Sequence, residues 1–294
     1  MNLLVITDRN YLCYLHCLWE SWASSISTSS KIKWHVYYII SNQSQTADSQ
    51  EILDELQHVY HHRDLIMSRH RNVTININTL KAPLYADDAI IPIGVNHNGR
   101  RTLTRFMAYC ANIRARLIRD VLIQIYDGDV LVYMDVDSLI RGDISAMSRM
   151  VRNHDIMVYF CNETYKRATS NHPQRDSARE TYIKSGLLGF HKNLACLQFA
   201  EKYHEMVDKM GFTTWGADQS CLIRLIDSDI CQNRLNIGFW KQIFIDWHFK
   251  KDSIIWMGKG VRKDSDKIYL REYDFYRKQW KKKFKNVNKT LTIS

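Results

Sequence analysis

Val130-Leu131-Val132-Tyr133-Met134-Asp135-Val136-Asp137-Ser138-Leu139-Ile140, VLVYMDVDSLI, is the stretch on which the reading of this chain turns. Its first five residues are aliphatic or aromatic, the make-up of a strand covered on both faces. Two carboxylates follow, one residue apart. An unpartnered buried carboxylate carries a heavy desolvation cost, so something positive is expected to answer Asp135 and Asp137. If strand geometry continues through Val136, both acids project to one face and both reach one ligand.

Working outward, β-branched and aromatic runs at 3–7, 34–40, 73–77, 130–136 and 156–160 read as strands. Between them, 11–22, 48–67 and 104–124 carry helical spacing; in the last, Phe106, Cys110, Ile113, Leu117 and Val121 share one face. This alternation predicts an α/β fold, a mostly parallel, twisted, Rossmann-like sheet flanked by helices. With three prolines, no Gly/Ser tract and no internal repeat, one domain over 1–270 is expected, followed by a basic aromatic helical tail over 271–294. Polar stretches at 82–101 and 163–180 read as long loops, the places where α/β proteins build sites.

The chain has 294 residues and a formal net charge of +10. Much of that excess lies between Arg277 and Lys289, where Arg277, Lys278, Lys281, Lys282, Lys283, Lys285 and Lys289 occur without an acid and Tyr276, Trp280 and Phe284 are interleaved. Such a run suits a phosphate-rich surface, nucleic acid or anionic membrane, and equally a solvated helical end. Seven cysteines without a CxxC pair suggest neither a disulfide framework nor a zinc knuckle. MNLLVITDRNYL has neither the basic start nor the cleavage site of a signal peptide, so a cytoplasmic location is expected.

Three chemistries place Asp-x-Asp at a strand end. A dehalogenase-type phosphatase calls for Thr or Val two residues after the second Asp, where this chain has Leu139. A two-metal nuclease calls for further acids on a neighbouring strand, and 156–160 has none. In a sugar-nucleotide transferase the acids hold a divalent cation against a diphosphate leaving group, whose oxygens gain negative charge as the glycosidic bond breaks.

The surrounding blocks add to the third reading. They are Leu3-Leu4-Val5-Ile6-Thr7-Asp8-Arg9-Asn10-Tyr11, Thr104-Arg105-Phe106, Tyr133 to Ile144, Lys184-Ser185-Gly186-Leu187-Leu188-Gly189-Phe190, Trp215-Gly216-Ala217-Asp218-Gln219 and Gly258-Lys259-Gly260-Val261-Arg262-Lys263. In this order they resemble the GT-A glycosyltransferases of the glycogenin and lipopolysaccharide-transferase type, family eight and its relatives. The resemblance implies a GT-A fold and transfer of a hexose or pentose from a nucleotide sugar, UDP-linked, to a hydroxyl with retention. It implies that Thr7, Asp8 and Tyr11 frame the nucleoside and that Arg105 meets the donor sugar or the acids. Asp135 would touch ribose and metal, and Asp137 the metal, Mn²⁺ or Mg²⁺. Ser185 and Gly186 would present backbone to the donor sugar, with Asp218 and Gln219 beside the anomeric centre. Lys259, Arg262 and Lys263 would grip the diphosphate.

One position departs from the pattern. The family places a metal-binding His where this chain has Met257, and a thioether is a poor ligand for hard cations. A weaker site, substitution by Asp246 or His248, or a metal-independent variant in which Lys259 and Lys263 carry the charge, follows as an expectation. Trp215, Asp246 and Trp247 are the candidates for the acceptor pocket. The acceptor itself stays open between a surface glycan or lipopolysaccharide at the inner membrane face and DNA with hydroxymethylated bases, modified in a host cytoplasm by a phage enzyme. In the DNA case Arg100, Arg101, Arg114, Arg116 and Arg119 could add phosphate contacts. A non-catalytic nucleic-acid-binding protein is the alternative from another class.

Overall fold

Strand β1 (Asn2–Asp8) is buried along its whole length, because it lies between two parallel neighbours, β2 (Ile32–Ile40) and β4 (Val130–Met134). The computed structural model describes residues 1–26, 31–41, 49–91, 103–170, 182–228, 234–258 and 265–291. Its main sheet has the order β3-β2-β1-β4-β7-β6-β8, with β3 at Val73–Lys81, β6 at Ile156–Phe160, β7 at Ile183–His191 and β8 at Ile237–Phe239. Only β7 runs against the others. A second ribbon pairs β5 (Ser138–Ile140) with β9 (Ile255–Met257).

The period-2 pattern of β1 and β4 divides two apolar layers. Leu4, Ile6, Leu131 and Tyr133 face one layer, filled by Phe106, Ile113, Leu117 and Val121. These come from α3 (Arg105–Asn112) and α4 (Arg114–Gln124), with Ile113 at the junction. Leu3, Val5, Val132 and Met134 face the other, with Trp19 and Trp22 of α1 (Leu12–Ser25) and Trp34. The single helix expected over 104–124 is two. Arg114 Nε donates to the carbonyl of Ala111 at 2.6 Å at this junction. The chain runs outward from β1 to β3 and then returns to β4 on the other side of β1. This reversal makes the carboxyl ends of β1 and β4 the usual ligand position in such sheets.

The C-terminal segment is helical over Lys267–Leu291. For this helix to be followed in order, α2 is Ser49–Arg69, α5 is Ser145–Arg152, α6 is Asn162–Thr169, α7 is Leu194–Met210 and α8 is Ala217–Ile226, so the last helix is α9. Tyr269, Tyr273, Tyr276 and Trp280 recur at helical spacing and turn toward the body. Tyr269 and Tyr276 are buried, and Tyr273 packs against Tyr14 with ring centroids 4.9 Å apart. Trp280 stacks on His16 at 4.1 Å and 10°. Each buried ring contributes roughly 1.5–3 kcal/mol.

A buried polar chain completes the grip. Lys283 donates to Glu20, and Glu20 Oε1 accepts His62 Nε2 at 2.8 Å. His62 Nδ1 lies 2.7 Å from His16 Nδ1, so one proton sits between the two rings. Glu20, His62 and Lys283 also line a cavity of about 280 Å³ with Arg69 and His70; it includes none of the residues considered for the Asp-x-Asp site.

Burial drives the His16 pKa well below the ordinary 6.5, helped by His62 and His58. His62 is lowered by burial despite the pull of Glu20. Burial pushes Glu20 up, but bonds from His62 and Lys283 outweigh it and the carboxyl is lowered. Neutral imidazoles in the fold and protonated ones in the unfolded chain mean that stability is complete above pH 6.5 and is lost as pH falls toward the lowered values. The Glu20 contribution is present above 4.5 and is lost as pH falls through its own lowered value. The melting temperature is therefore expected to fall from about pH 7 to about pH 5, and His16→Phe, with one fewer imidazole to charge, to show a shallower fall. Equal slopes in a pH series of thermal melts would contradict the shared proton.

Candidate active site

The acids stand where the chain leaves one sheet for the other. Strand β4 ends at Met134, one residue before Asp135, so alternation along a continuous strand does not set their direction as the sequence suggested. A turn sets it. Asp135 N–H donates to Gly186 O of β7 at 2.9 Å, and Ser138 N–H donates to Asp135 O at 3.2 Å. Val136 is buried, as expected, while Asp135 and Asp137 are partly exposed.

The positive partner of Asp135 is Arg114. Its Nη1 lies 3.2 Å from Asp135 Oδ1 and also donates to Ser185 O at 2.9 Å and Ser185 Oγ at 3.3 Å. The same Asp135 oxygen accepts the Tyr133 hydroxyl at 2.7 Å, and the guanidinium lies 4.9 Å from the centre of the Tyr133 ring. On its other side Arg114 Nε is 3.2 Å from Asp218 Oδ2. That contact is ionic, because the Nε proton points to Ala111 and Asp218 Oδ2 receives no hydrogen bond. Burial works against the charge on Arg114, but Tyr133, Asp218 and Asp135 raise its pKa, so it stays protonated.

This leaves one Asp135 oxygen without a hydrogen-bond partner among the described residues. A Cβ on Gly186 would stand 2.6 Å from Asp135 Oδ2 and 2.7 Å from Met257 Sδ. The glycine is required because any side chain there would displace the carboxylate. With its side chain 31% exposed, Asp135 therefore offers a hard oxygen at an open approach. Among the described residues no group of three His, Cys, Asp or Glu side chains surrounds such a point, and Met257 is buried. A cation such as Mg²⁺ is commonly held by only one or two carboxylates while substrate phosphates and water fill the rest of its shell, so a third protein ligand is not a requirement.

The other expected residues divide. Thr7 and Asp8 are buried at the end of β1, where Asp8 Oδ1 accepts Asn10 N–H at 2.7 Å and starts a short turn. Tyr11 is half-buried just beyond β1, its ring 5.4 Å from Tyr14. Gly186 joins Asp135 directly, and Ser185 joins it through Arg114. Asp218 lies in the first turn of α8 and does not cap it; Gly216 holds the cap position. Asn112, missed in the sequence, fastens that turn: its Oδ1 accepts Asp218 N–H at 3.0 Å, and its amide donates to Phe212 O at 2.7 Å and Thr214 O at 2.6 Å. Gln219 follows Asp218, and Trp215 is exposed in the preceding loop.

Arg105 does not meet the acids. It is half-exposed and pairs with Asp87 at 3.6 Å. Arg114 takes the place expected for it, and Arg116 and Arg119 pair with Asp120, so these three form no row of phosphate contacts. Asp246 is fully buried, and its oxygens accept His248 N–H, Lys250 N–H and the Ser253 hydroxyl at 2.8, 2.7 and 2.6 Å. It organises its own loop, which leaves it unsuited to replace a metal-binding His or to touch an acceptor. Trp247 packs edge-on to Tyr159 at 5.1 Å. Lys259, Arg262, Lys263, Arg100 and Arg101 lie outside the described residues.

No protein-family model matches the chain, and no curated protein matches it. Solved structures do. The galactosyltransferase LgtC, in complex with donor and acceptor sugar analogues, is similar with a TM-score of 0.53 and 12% identity over 96% of each chain. The apo form of the glycosyltransferase GlyE of Streptococcus pneumoniae TIGR4 is similar with a TM-score of 0.50 and 11% identity, over 96% of this chain and 63% of that one. The bifunctional glycosyltransferase WbbM gives 0.49 and 13% over 83% of this chain, which spans only 39% of its length. What the chain has in common with LgtC and GlyE is the fold, GT-A, as the sequence blocks implied.

The Arg114 arrangement has a measurable consequence. Arg114→Met leaves Asp135 and Asp218 without their common cation and is expected to cost about 3–5 kcal/mol in denaturant unfolding. Arg105→Met, at an exposed pair, is expected to cost about 1 kcal/mol or less. The reverse order would contradict the assignment.

Proposed function

We propose that this protein is a glycosyltransferase that moves a hexosyl or pentosyl group from a UDP-linked donor to an acceptor hydroxyl. The observation that carries the reading is the Asp135 oxygen over Gly186 that no described residue bonds, at the end of β4 where the sheet order reverses. Asp135 and Asp137 would hold a divalent cation, Mn²⁺ or Mg²⁺. Such an ion neutralises the charge that grows on the departing diphosphate. Arg114 fixes Asp135 from behind and keeps its second oxygen toward the donor. Tyr11 frames the base at the end of β1, with Thr7 and Asp8 shaping the turn beneath it. Lys259, Arg262 and Lys263 are assigned to the diphosphate and Gln219 to the neighbourhood of the anomeric centre. Asp218 is buried behind Arg114, which disfavours its use as a base on an acceptor hydroxyl and supports a retaining course.

For the acceptor we propose a surface glycan built at the inner membrane face. Arg271, Lys278, Lys281 and Lys282 are exposed on α9 beside Ile268 and Phe275, which suits an anionic bilayer surface. No helix among the described residues is long and apolar enough to cross a membrane. The DNA alternative is weakened because Tyr276 and Trp280 are used in packing and Arg114, Arg116 and Arg119 are paired.

Two tests follow. Turnover of UDP-sugars is expected to fall by roughly 10²–10³-fold in Asp135→Asn with the fold retained, and UDP with Mn²⁺ to raise the melting temperature of the wild type. Absence of both turnover and UDP protection would favour a non-catalytic binder. Cosedimentation with vesicles containing anionic lipid is expected at low salt and to be lost from the triple variant Lys278→Gln, Lys281→Gln, Lys282→Gln. Undiminished binding by that variant would remove α9 from the membrane reading.

A further inference from the structure

Helix α9 reaches the Asp-x-Asp turn. Tyr269, at its start, is completely buried, its ring 5.0 Å from Phe249 and nearly parallel to Tyr273 at 6.3 Å. Its hydroxyl donates to the backbone carbonyl of Asp137 at 2.7 Å. The same carbonyl accepts Gly258 N–H at 3.0 Å. A Cβ on Gly258 would lie 2.7 Å from the Tyr269 hydroxyl and 2.8 Å from that carbonyl, so both donors fit only because residue 258 is glycine.

These contacts fall on one peptide unit. Its oxygen is the Asp137 carbonyl, held by Tyr269 and Gly258. Its nitrogen is that of Ser138, which donates to Asp135 O at 3.2 Å. A peptide plane held at both polar atoms fixes the rotation about Asp137 and hence the direction in which that residue leaves the backbone. Burial keeps the Tyr269 hydroxyl pKa well above its ordinary value, with Asp137 adding to the effect, so the donor keeps its proton. Lys283, gripping Glu20, is fourteen residues further along α9, which at helical rise is about 21 Å away. The helix is thus fastened at one end to α1 and at the other to the acids.

We infer that α9 is part of the donor site, with Tyr269 a positioning residue that sets Asp137 through its backbone carbonyl. The effect on turnover rests on the glycosyltransferase reading; the effect on the backbone does not.

The experiment compares the full-length wild type with Tyr269→Phe, Gly258→Ala and Gln279→Ala, the last an exposed position on the same helix. Amide hydrogen exchange at Ser138 and Gly258, thermal melts, and kinetics with a UDP-sugar and Mn²⁺ are measured on each. In Tyr269→Phe and Gly258→Ala the exchange at Ser138 is expected to accelerate about tenfold, and donor KM to rise about three- to tenfold with a smaller change in kcat. Gln279→Ala is expected to match the wild type. Unchanged exchange and donor KM in a folded Tyr269→Phe would overturn the proposal, as would an equal change in Gln279→Ala. If Tyr269→Phe does not fold, Gly258→Ala decides by the same readouts. Accelerated exchange in a protein that turns over no sugar nucleotide would keep the positioning role and remove the transferase reading.

Discussion

A single buried guanidinium organises this site. Arg114 has Asp135 on one side and Asp218 on the other, and donates to Ser185 and to the carbonyl of Ala111 as well. Without it two carboxylates would be desolvated beside a buried tyrosine, a state proteins avoid by neutralising one group or rearranging. With it, one Asp135 oxygen is bound and the other has no hydrogen-bond partner among the described residues. The junction between α3 and α4 falls at the residue that makes this possible.

The scaffold explains why the arrangement can be held accurately. Asp135 is fixed through Gly186 to the central sheet, and Asp137 through Gly258 to the smaller ribbon and through Tyr269 to the last helix. The two acids belong to different parts of the fold and share one turn. Helix α9, which in composition reads as a cationic tail, gives its aromatic stripe to the body and presents Arg271, Lys278, Lys281 and Lys282 outward together with Ile268 and Phe275.

The strands at 156–160 and in β1 and β2 were legible because burial on both faces demands near-continuous apolar runs, and the edge strand β3 because Val73, Ile75 and Ile77 alternate with polar residues. Strand β7 was not read as a strand, since Lys184 to Phe190 contains two glycines and little β-branching, although its block was read as part of the site. The carboxylate pair stood out because two acids close an apolar run, and the surrounding blocks gave it meaning; both side chains are in fact partly exposed. Its arginine was misassigned to Arg105, which opens α3 and pairs with Asp87 near the surface instead. Arg114 had a signal: it falls four residues after Cys110 and three before Leu117, on the stripe that faces the core, where a charge must have a partner. Asn112 carried the same signal more faintly. Asp246 could not be separated from a functional acid by sequence, because its three hydrogen-bond donors lie within its own loop, two of them backbone amides.

The central claim is that Asp135 and Asp137 together present oxygen to a cation at the donor diphosphate. Counting bound Mn²⁺ by electron paramagnetic resonance, in the presence of saturating UDP, tests it most directly. The account predicts one bound ion per chain in the wild type and its loss in Asp137→Asn under the same conditions. An unchanged bound ion in that variant, or none in the wild type, would contradict it.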